Sequence, residues 1–233
     1  FFPAEFSGAG FRERLIGSGD ADTLRAILTS LYVSLFATCL ASLIGIPLGL
    51  TIGARSFRGK SGVYLVLNTL LSMPTVVVGL FLYLLFSRQG PLGPIDLLFT
   101  PSLMVIGETI LILPMVIAFT ATAVNNLPPG VRETAASLGA GRWHFAWTLL
   151  DEARFGVLAA VIAGFGRAIS EVGAALMLGG NIRGHTRTMT TTIALETSKG
   201  EFGLGLALAL ILLTIAFAVN LLFYSFQQRA RIT

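Results

Sequence analysis

The sequence predicts an all-α polytopic membrane protein of about five transmembrane helices with a small helical hairpin between two of them. Three observations lead there. The chain is 54% hydrophobic and only 12% charged, with a mean hydropathy of +0.80, far from the balance of a soluble domain. Uncharged runs cover Ala26 to Ala54, Ser61 to Ser87 and Phe202 up to Arg229. Each exceeds the roughly 20 residues that cross about 30 Å of hydrocarbon. Finally, Glu133 to Phe145, ETAASLGAGRWHF, is a polar stretch between strongly apolar blocks.

Taken in order, residues 1–22 read as a partly amphipathic surface segment before the first span. The numbering opens at Phe1 and not at Met, so a few native residues are expected upstream. The first span, Ala26 to Ala54, is too long and too deep in the chain for a cleaved signal peptide. Gly45, Gly49 and Gly53 recur every four residues along it, a spacing that lets helix backbones approach closely in lipid. The stripe serves either an interface between subunits or, more simply, one between helices of a single subunit. Cys39, the single cysteine, lies in this span and reads as packing.

A basic turn follows. Ala54 to Ser61 nearly matches a phosphate-binding loop, but it trails a membrane helix where such a loop needs a β-strand. Pro47, Pro74 and Pro114 stand inside apolar spans, where each removes an intrahelical hydrogen bond. They read as kinks around a central passage or as simple bends. The third span, about Ser102 to Val124, and the fourth, Phe155 to Leu178, hold isolated charges: Glu108, Arg167 and Glu171. A charge at membrane depth is costly unless it faces protein or water. Arg167 and Glu171, four residues apart, are expected to pair on one helix face, as a gate element or as a structural pair. Glu108 has no partner nearby in sequence. Gly166, Ser170 and Ala174 repeat the four-residue spacing of small residues.

Residues 128–153 carry the hairpin. Pro128 and Pro129 suit a helix start, Glu133 falls in the first turns, and Gly139 with Gly141 supplies a C-terminal stop. Ala135, Ala136 and Leu138 offer a small, weakly apolar surface. Arg142, Trp143 and Phe145 add a cation and two large rings, a combination that suits docking to a groove on another protein.

After the fourth span, Gly179 to Arg187 followed by Thr188-Met189-Thr190-Thr191-Thr192 gathers glycines, Asn181, Arg183, His185, Arg187 and a run of hydroxyls. Such groups suit a tetrahedral oxyanion; equally, the threonines would cap helices and the arginines meet lipid or a binding protein. His144 and His185 are far apart in sequence, and neither a metal cluster nor a nucleophile–base arrangement can be assembled. The net charge of +4 favours anionic lipid and an anionic cargo. Nucleic acid is not expected for a chain with so little polar surface.

The residues resemble a known family. Glu133-Thr134-Ala135, three residues and Gly139 look like the EAA loop of ATP-binding-cassette importer permeases. Thr134 departs from the usual alanine, and Asp151-Glu152 stand where Leu-Pro often closes the motif. Gly164 to Gly173, the loop GGNIRGHTRTMTTTIALETSKG, Ser72 to Gly79 and Arg88 to Gly93 are similar to tungstate permeases of this class. Molybdate and sulfate permeases share the architecture but usually carry a different loop. The likeness covers about Leu24 to Phe226.

The resemblance implies a type I importer permease fold, with a transmembrane domain over 23–226 and a cytoplasmic tail over 227–233. It implies a non-catalytic subunit that pairs with itself, two cytoplasmic ATPases that bind ATP and Mg, and an extracytoplasmic oxyanion-binding protein. Glu133, Thr134, Ala135, Ala136, Gly139, Arg142, Trp143 and Phe145 would then meet the ATPase. Pro74, Arg167, Glu171, Asn181, Arg183, His185, Arg187, Thr190, Thr191 and Thr192 would serve the anion path or its gate. No cofactor or metal is expected in this chain itself. With the hairpin cytoplasmic in a prokaryotic inner membrane, parity puts the C-terminus inside and the N-terminus outside. The Arg55-Arg58-Lys60 loop and the Arg229-Arg231 end agree with a positive inside, whereas Arg183, Arg187 and Lys199 in the outer loop weaken that bias. Two other classes compete: a passive channel, which needs no hairpin knob, and a membrane enzyme, which needs clustered His, Asp or Cys.

Overall fold

A computed structural model describes residues 20–137, 139 and 141–232. Among the described residues the secondary structure is helical throughout: α1 (Asp20–Ala54), α2 (Lys60–Leu71), α3 (Thr75–Phe86), a short 3-10 turn (Gly93–Ile95), α4 (Pro101–Asn125), α5 (Pro129–Ser137), α6 (Arg142–Glu152), α7 (Arg154–Ile169), α8 (Gly173–Gly179), α9 (Met189–Ser198) and α10 (Phe202–Ile232). Three helices are long and apolar enough to cross a membrane, and the count reaches five when α2 with α3 and α7 with α8 are each taken as one bent span. The expected surface segment over 1–22 lies almost wholly outside the described residues.

Two expectations about these spans are corrected. The second and fourth are broken helices. Pro74 is not inside a helix: it is the N-cap of α3, with φ −61° and ψ 125°, a place where the missing N–H costs little. Pro47 and Pro114 do lie within α1 and α4. In the fourth span α7 stops at Ile169, so Gly166, Ser170 and Ala174 do not form one helical stripe. The last helix, α10, continues through most of the 227–233 segment, to Ile232.

The chain divides into two compact units. In the first (described residues 20–36, 74–108 and 168–222), α8 packs on α3 and on the start of α4. Glycines make this approach possible: a Cβ on Gly79 would lie 3.0 Å from Ala174 Cα, and one on Gly179 would lie 2.6 Å from Met104 Sδ. Leu82, Phe86, Leu103, Met104, Leu178, Met189 and Leu208 are buried here. Ser30 Oγ of α1 accepts the Met189 N–H at 2.8 Å.

In the second unit (37–73, 109–167 and 223–232), the later half of α1 lies against the later half of α4. A Cβ on Gly45 would stand 2.9 Å from Val116 Cγ1, one on Gly49 2.7 Å from the Ile117 oxygen, and one on Gly53 2.6 Å from the Ala121 oxygen. The glycine stripe of α1 is therefore consumed within one subunit. Val124, Leu149, Ala153 and Val157 form the core beneath the hairpin, with Ile46, Leu50, Leu127 and Phe145 packed on it. Cys39 is exposed on the surface of α1 and contributes no buried packing.

Candidate functional site

The α5–α6 hairpin forms as the sequence predicts, with one change in its turn. Gly139 has φ +69°, the left-handed conformation that ends a helix. Gly141 does not help to stop α5; with φ −61° and ψ 161° it is the N-cap of α6. Glu133 and Thr134 are exposed on α5, where Ala136 also resides, and Arg142 is the first residue of α6. Leu138 lies outside the described residues.

Two of the expected docking residues face inward. Ala135 is 6% exposed, and Phe145 is half-buried against the Val124–Leu149–Ala153–Val157 core. Their apolar side chains secure the hairpin to the protein. Trp143 is 88% exposed, and so is a ring the sequence reading did not include: Trp147, at 72%. Four residues apart on α6, the two indoles share a face, while Phe145 and Leu149 turn to the core. Extending the 3.6-residue period by one turn would have found Trp147.

The 180–192 loop is tightly tied. Gly180, at φ +66°, and Asn181, at φ +51°, set a left-handed corner. Arg187 Nε donates to Asn181 Oδ1 at 3.2 Å and its Nη2 to the Asn181 carbonyl at 3.4 Å. Arg183 Nε donates to Asp22 Oδ2 at 2.7 Å, and its Nη2 reaches the same oxygen. This hydrogen bonding, with the attraction of the two charges, raises the Arg183 pKa above its ordinary value. His185 is exposed. The hydroxyls are largely engaged: Thr188 and Thr191 form a reciprocal capping box at the start of α9. Thr190 Oγ1 donates to the Glu171 carbonyl at 2.7 Å, and Thr192 Oγ1 to the Thr188 carbonyl at 2.6 Å. Arg183, Arg187 and Lys199 nevertheless line a cavity of about 250 Å³ together with Asp22, Thr192 and Glu196. Lys199 is paired to Glu196 at 2.9 Å.

At membrane depth, the helical register expected between Arg167 and Glu171 is absent because α7 ends between them. Glu171 works as a local cap: its Oε1 accepts the Ala174 N–H at 3.1 Å, at the start of α8. Arg167 sits in the last turn of α7, where the helix dipole favours a cation. Glu108 is 3% exposed, and its Oε2 has no hydrogen-bond partner among the described residues.

The basic turn after α1 is accounted for without nucleotide. Lys60 Nζ donates to the carbonyls of Gly53 at 3.2 Å and Arg55 at 3.0 Å, and to Asn125 Oδ1 at 2.8 Å. The ammonium closes the end of α1. No group of three or more His, Cys, Asp or Glu that could hold a metal occurs among the described residues.

Comparison with known proteins shows the family. Residues 45–232 match the family described as binding-protein-dependent transport system inner membrane component. A probable anion ABC transporter permease of Haloferax volcanii is 43% identical over 86% of this chain and 88% of its own length. Tungstate uptake system permeases of Peptoclostridium acidaminophilum and Campylobacter jejuni are 39% and 41% identical; they cover 96% and 91% of this chain, which spans 99% and 90% of theirs. Permeases named for molybdenum and sulfate transport are more distant, at 29% identity in Azotobacter vinelandii and Synechococcus elongatus. The chain belongs to the binding-protein-dependent transport system inner membrane component family, the multi-pass permease subunits of ABC transporters.

Proposed function

We propose that the chain is the permease subunit of an ATP-driven importer that carries tungstate inward by alternating access. The observation that supports coupling to an ATPase is the exposed Trp143–Trp147 face on a hairpin whose Phe145 and Ala135 are fixed in the core. A rigidly mounted apolar face transmits a push where a loose loop would absorb it. Tungstate as cargo rests on the likeness to permeases named for it and on the cavity to which Arg183 and Arg187 bring guanidiniums and Lys199 an ammonium.

In this reading two copies of the chain line the path, since five spans enclose little alone. Two ATPase subunits, which bind ATP and Mg, seat the hairpins from the cytoplasm. A binding protein delivers the anion to the opposite face, where the N-terminus also lies. Because Arg183 is held by Asp22 and Arg187 by Asn181, an arriving dianion exchanges with partners already present. That keeps its binding shallow and its release fast. The chain itself performs no chemistry; hydrolysis occurs on the partner.

The test is initial uptake into vesicles that hold permease, ATPase and binding protein, with tungstate, molybdate and sulfate compared at equal concentration. ATP-dependent uptake with tungstate preferred is expected. Preference for sulfate overturns the cargo assignment, and uptake without ATP overturns the importer mechanism in favour of a channel.

A further inference from the structure

A cavity of about 580 Å³ opens at the end of α3, within the first unit. That size falls among small-ligand pockets, roughly 300–1,000 Å³. α3 is the second half of a bent span, so the cavity lies where that span leaves hydrocarbon for water. Its lining combines aromatic rings with two opposite charges. Tyr83 and Phe99 set tilted rings side by side, Phe86 adds a buried third, and Arg88 and Asp96 complete the wall. Both charged residues are exposed, and neither side chain has a hydrogen-bond or ion-pair partner among the described residues. They share a cavity without pairing to each other. Such an arrangement fits a ligand that carries both charges itself.

The helix surface beside the cavity is apolar. Val77, Leu80, Phe81 and Leu84 recur at steps of three and four residues on α3, and all four are exposed. They form one stripe of about 10 Å at 1.5 Å per residue. Leu84 belongs to the stripe and to the cavity lining alike. A soluble zwitterion would fill the cavity and leave the stripe bare, whereas a lipid covers both.

We propose that this cavity seats the headgroup of a zwitterionic phospholipid, with a phosphate and a primary ammonium, whose acyl chain lies along the α3 stripe. Arg88 donates to the phosphate oxygens. The ammonium donates to the Asp96 carboxylate and rests on the faces of Tyr83 and Phe99, which attract a cation. Net charge alone favours anionic lipid. Here an anionic headgroup without an ammonium leaves Asp96 unmatched and brings a second negative charge towards it. The site requires only the membrane spans and is independent of the cargo and of coupling to an ATPase.

Phosphatidylethanolamine and phosphatidylglycerol with the same acyl chains, offered in equal amounts to the purified complex in detergent, test this by native mass spectrometry of the lipid retained. The parent should prefer phosphatidylethanolamine by about tenfold, the worth of one hydrogen bond between charged groups. Asp96 stands at φ 53°, a region that Asn also enters, so Asp96→Asn removes the charge and keeps the backbone. That variant should lose the preference, and Arg88→Gln should retain less of both lipids. Equal retention of the two lipids by the parent, or an unchanged preference in Asp96→Asn, overturns the proposal. A second measurement leaves both charges in place: with Cys39, the sole cysteine, changed to Ser, Gln89→Cys in the cavity lining is labelled by a maleimide. Phosphatidylethanolamine near saturation should slow labelling by about threefold or more relative to phosphatidylglycerol; equal rates overturn the site. Protection by glycerophosphoethanolamine, which has the headgroup and no chains, overturns the lipid in favour of a soluble zwitterion. In the same background, a disulfide between two copies of Leu84→Cys would place a second copy of the chain on the stripe and overturn the acyl-chain contact.

Discussion

Replacing Gly49 by alanine adds one methyl group where α1 meets α4, and the structure gives its consequence a size. The new Cβ would lie 2.7 Å from the Ile117 carbonyl oxygen and 2.7 Å from Thr120 Cβ, whereas ordinary contact begins at 3.4 Å. The helices must part by about 0.7 Å, the difference of those distances. The obstacle is backbone oxygen, which cannot rotate away as a side chain can. Overpacking of this kind costs about 1–3 kcal/mol. Gly62→Ala is the control: Gly62 lies in α2 with nothing within 4 Å of its would-be Cβ, so the helix gains about 0.5–1 kcal/mol. At about 2–4 °C per kcal/mol for a chain of this size, Gly49→Ala should lower the melting temperature by about 2–12 °C and Gly62→Ala raise it by about 1–4 °C. Thermal denaturation in one detergent, at one scan rate because unfolding of such proteins is often irreversible, gives the comparison. Shifts of the same sign in both variants would refute the argument that α1 and α4 are in backbone contact.

Three other expectations follow from the hairpin and the loop. Gly139→Val places a β-branched residue at φ +69° with open space around it, so its cost is conformational, about 1–2 kcal/mol; membrane insertion should persist while coupled uptake falls, and Gly139→Asn should be milder. Trp143→Ala and Trp147→Ala should weaken co-purification of the ATPase without changing the melting temperature, whereas Phe145→Ala should lower the melting temperature. Thr188→Ala removes the capping box of α9 and should cost about 1 kcal/mol of stability, while Arg187→Ala should slow anion uptake, with Arg187→Lys rescuing it only in part.

Span number and the hairpin were legible because both are written in composition and period over many residues. The breaks were not. A proline in an apolar run says that a hydrogen bond is missing, but not whether the helix bends around the gap or restarts there; at Pro74 it restarts. The second break has no proline at all. Its signal was Glu171, because a carboxylate just ahead of Gly173-Ala174 reads as a helix cap. The Thr188–Thr192 run was seen as an array of hydroxyls for an anion. Its three-residue spacing serves α9 first, which leaves the guanidiniums as the groups with chemistry to offer. Phe145 and Trp143 looked alike in sequence; only the shape of the core separates the ring that anchors from the ring that reaches out.

Phe99 links two loops that the chain connects only through whole membrane spans. Its N–H donates to the Leu178 carbonyl at 2.9 Å, and its ring lies against Gly180 so closely that a Cβ there would come within 2.7 Å of Cδ1. Tyr83 adds a second ring 6.2 Å away. Phe99 holds this place at φ 62°, and its neighbour Asp96 is at φ 53°, conformations that bulky residues rarely occupy without firm support. The segment between α3 and α4 and the segment after α8 are thus riveted into a single plate. A protein that presses on either one moves both, so contact with residues 88–100 is felt at Asn181, Arg183 and Arg187 without any direct touch.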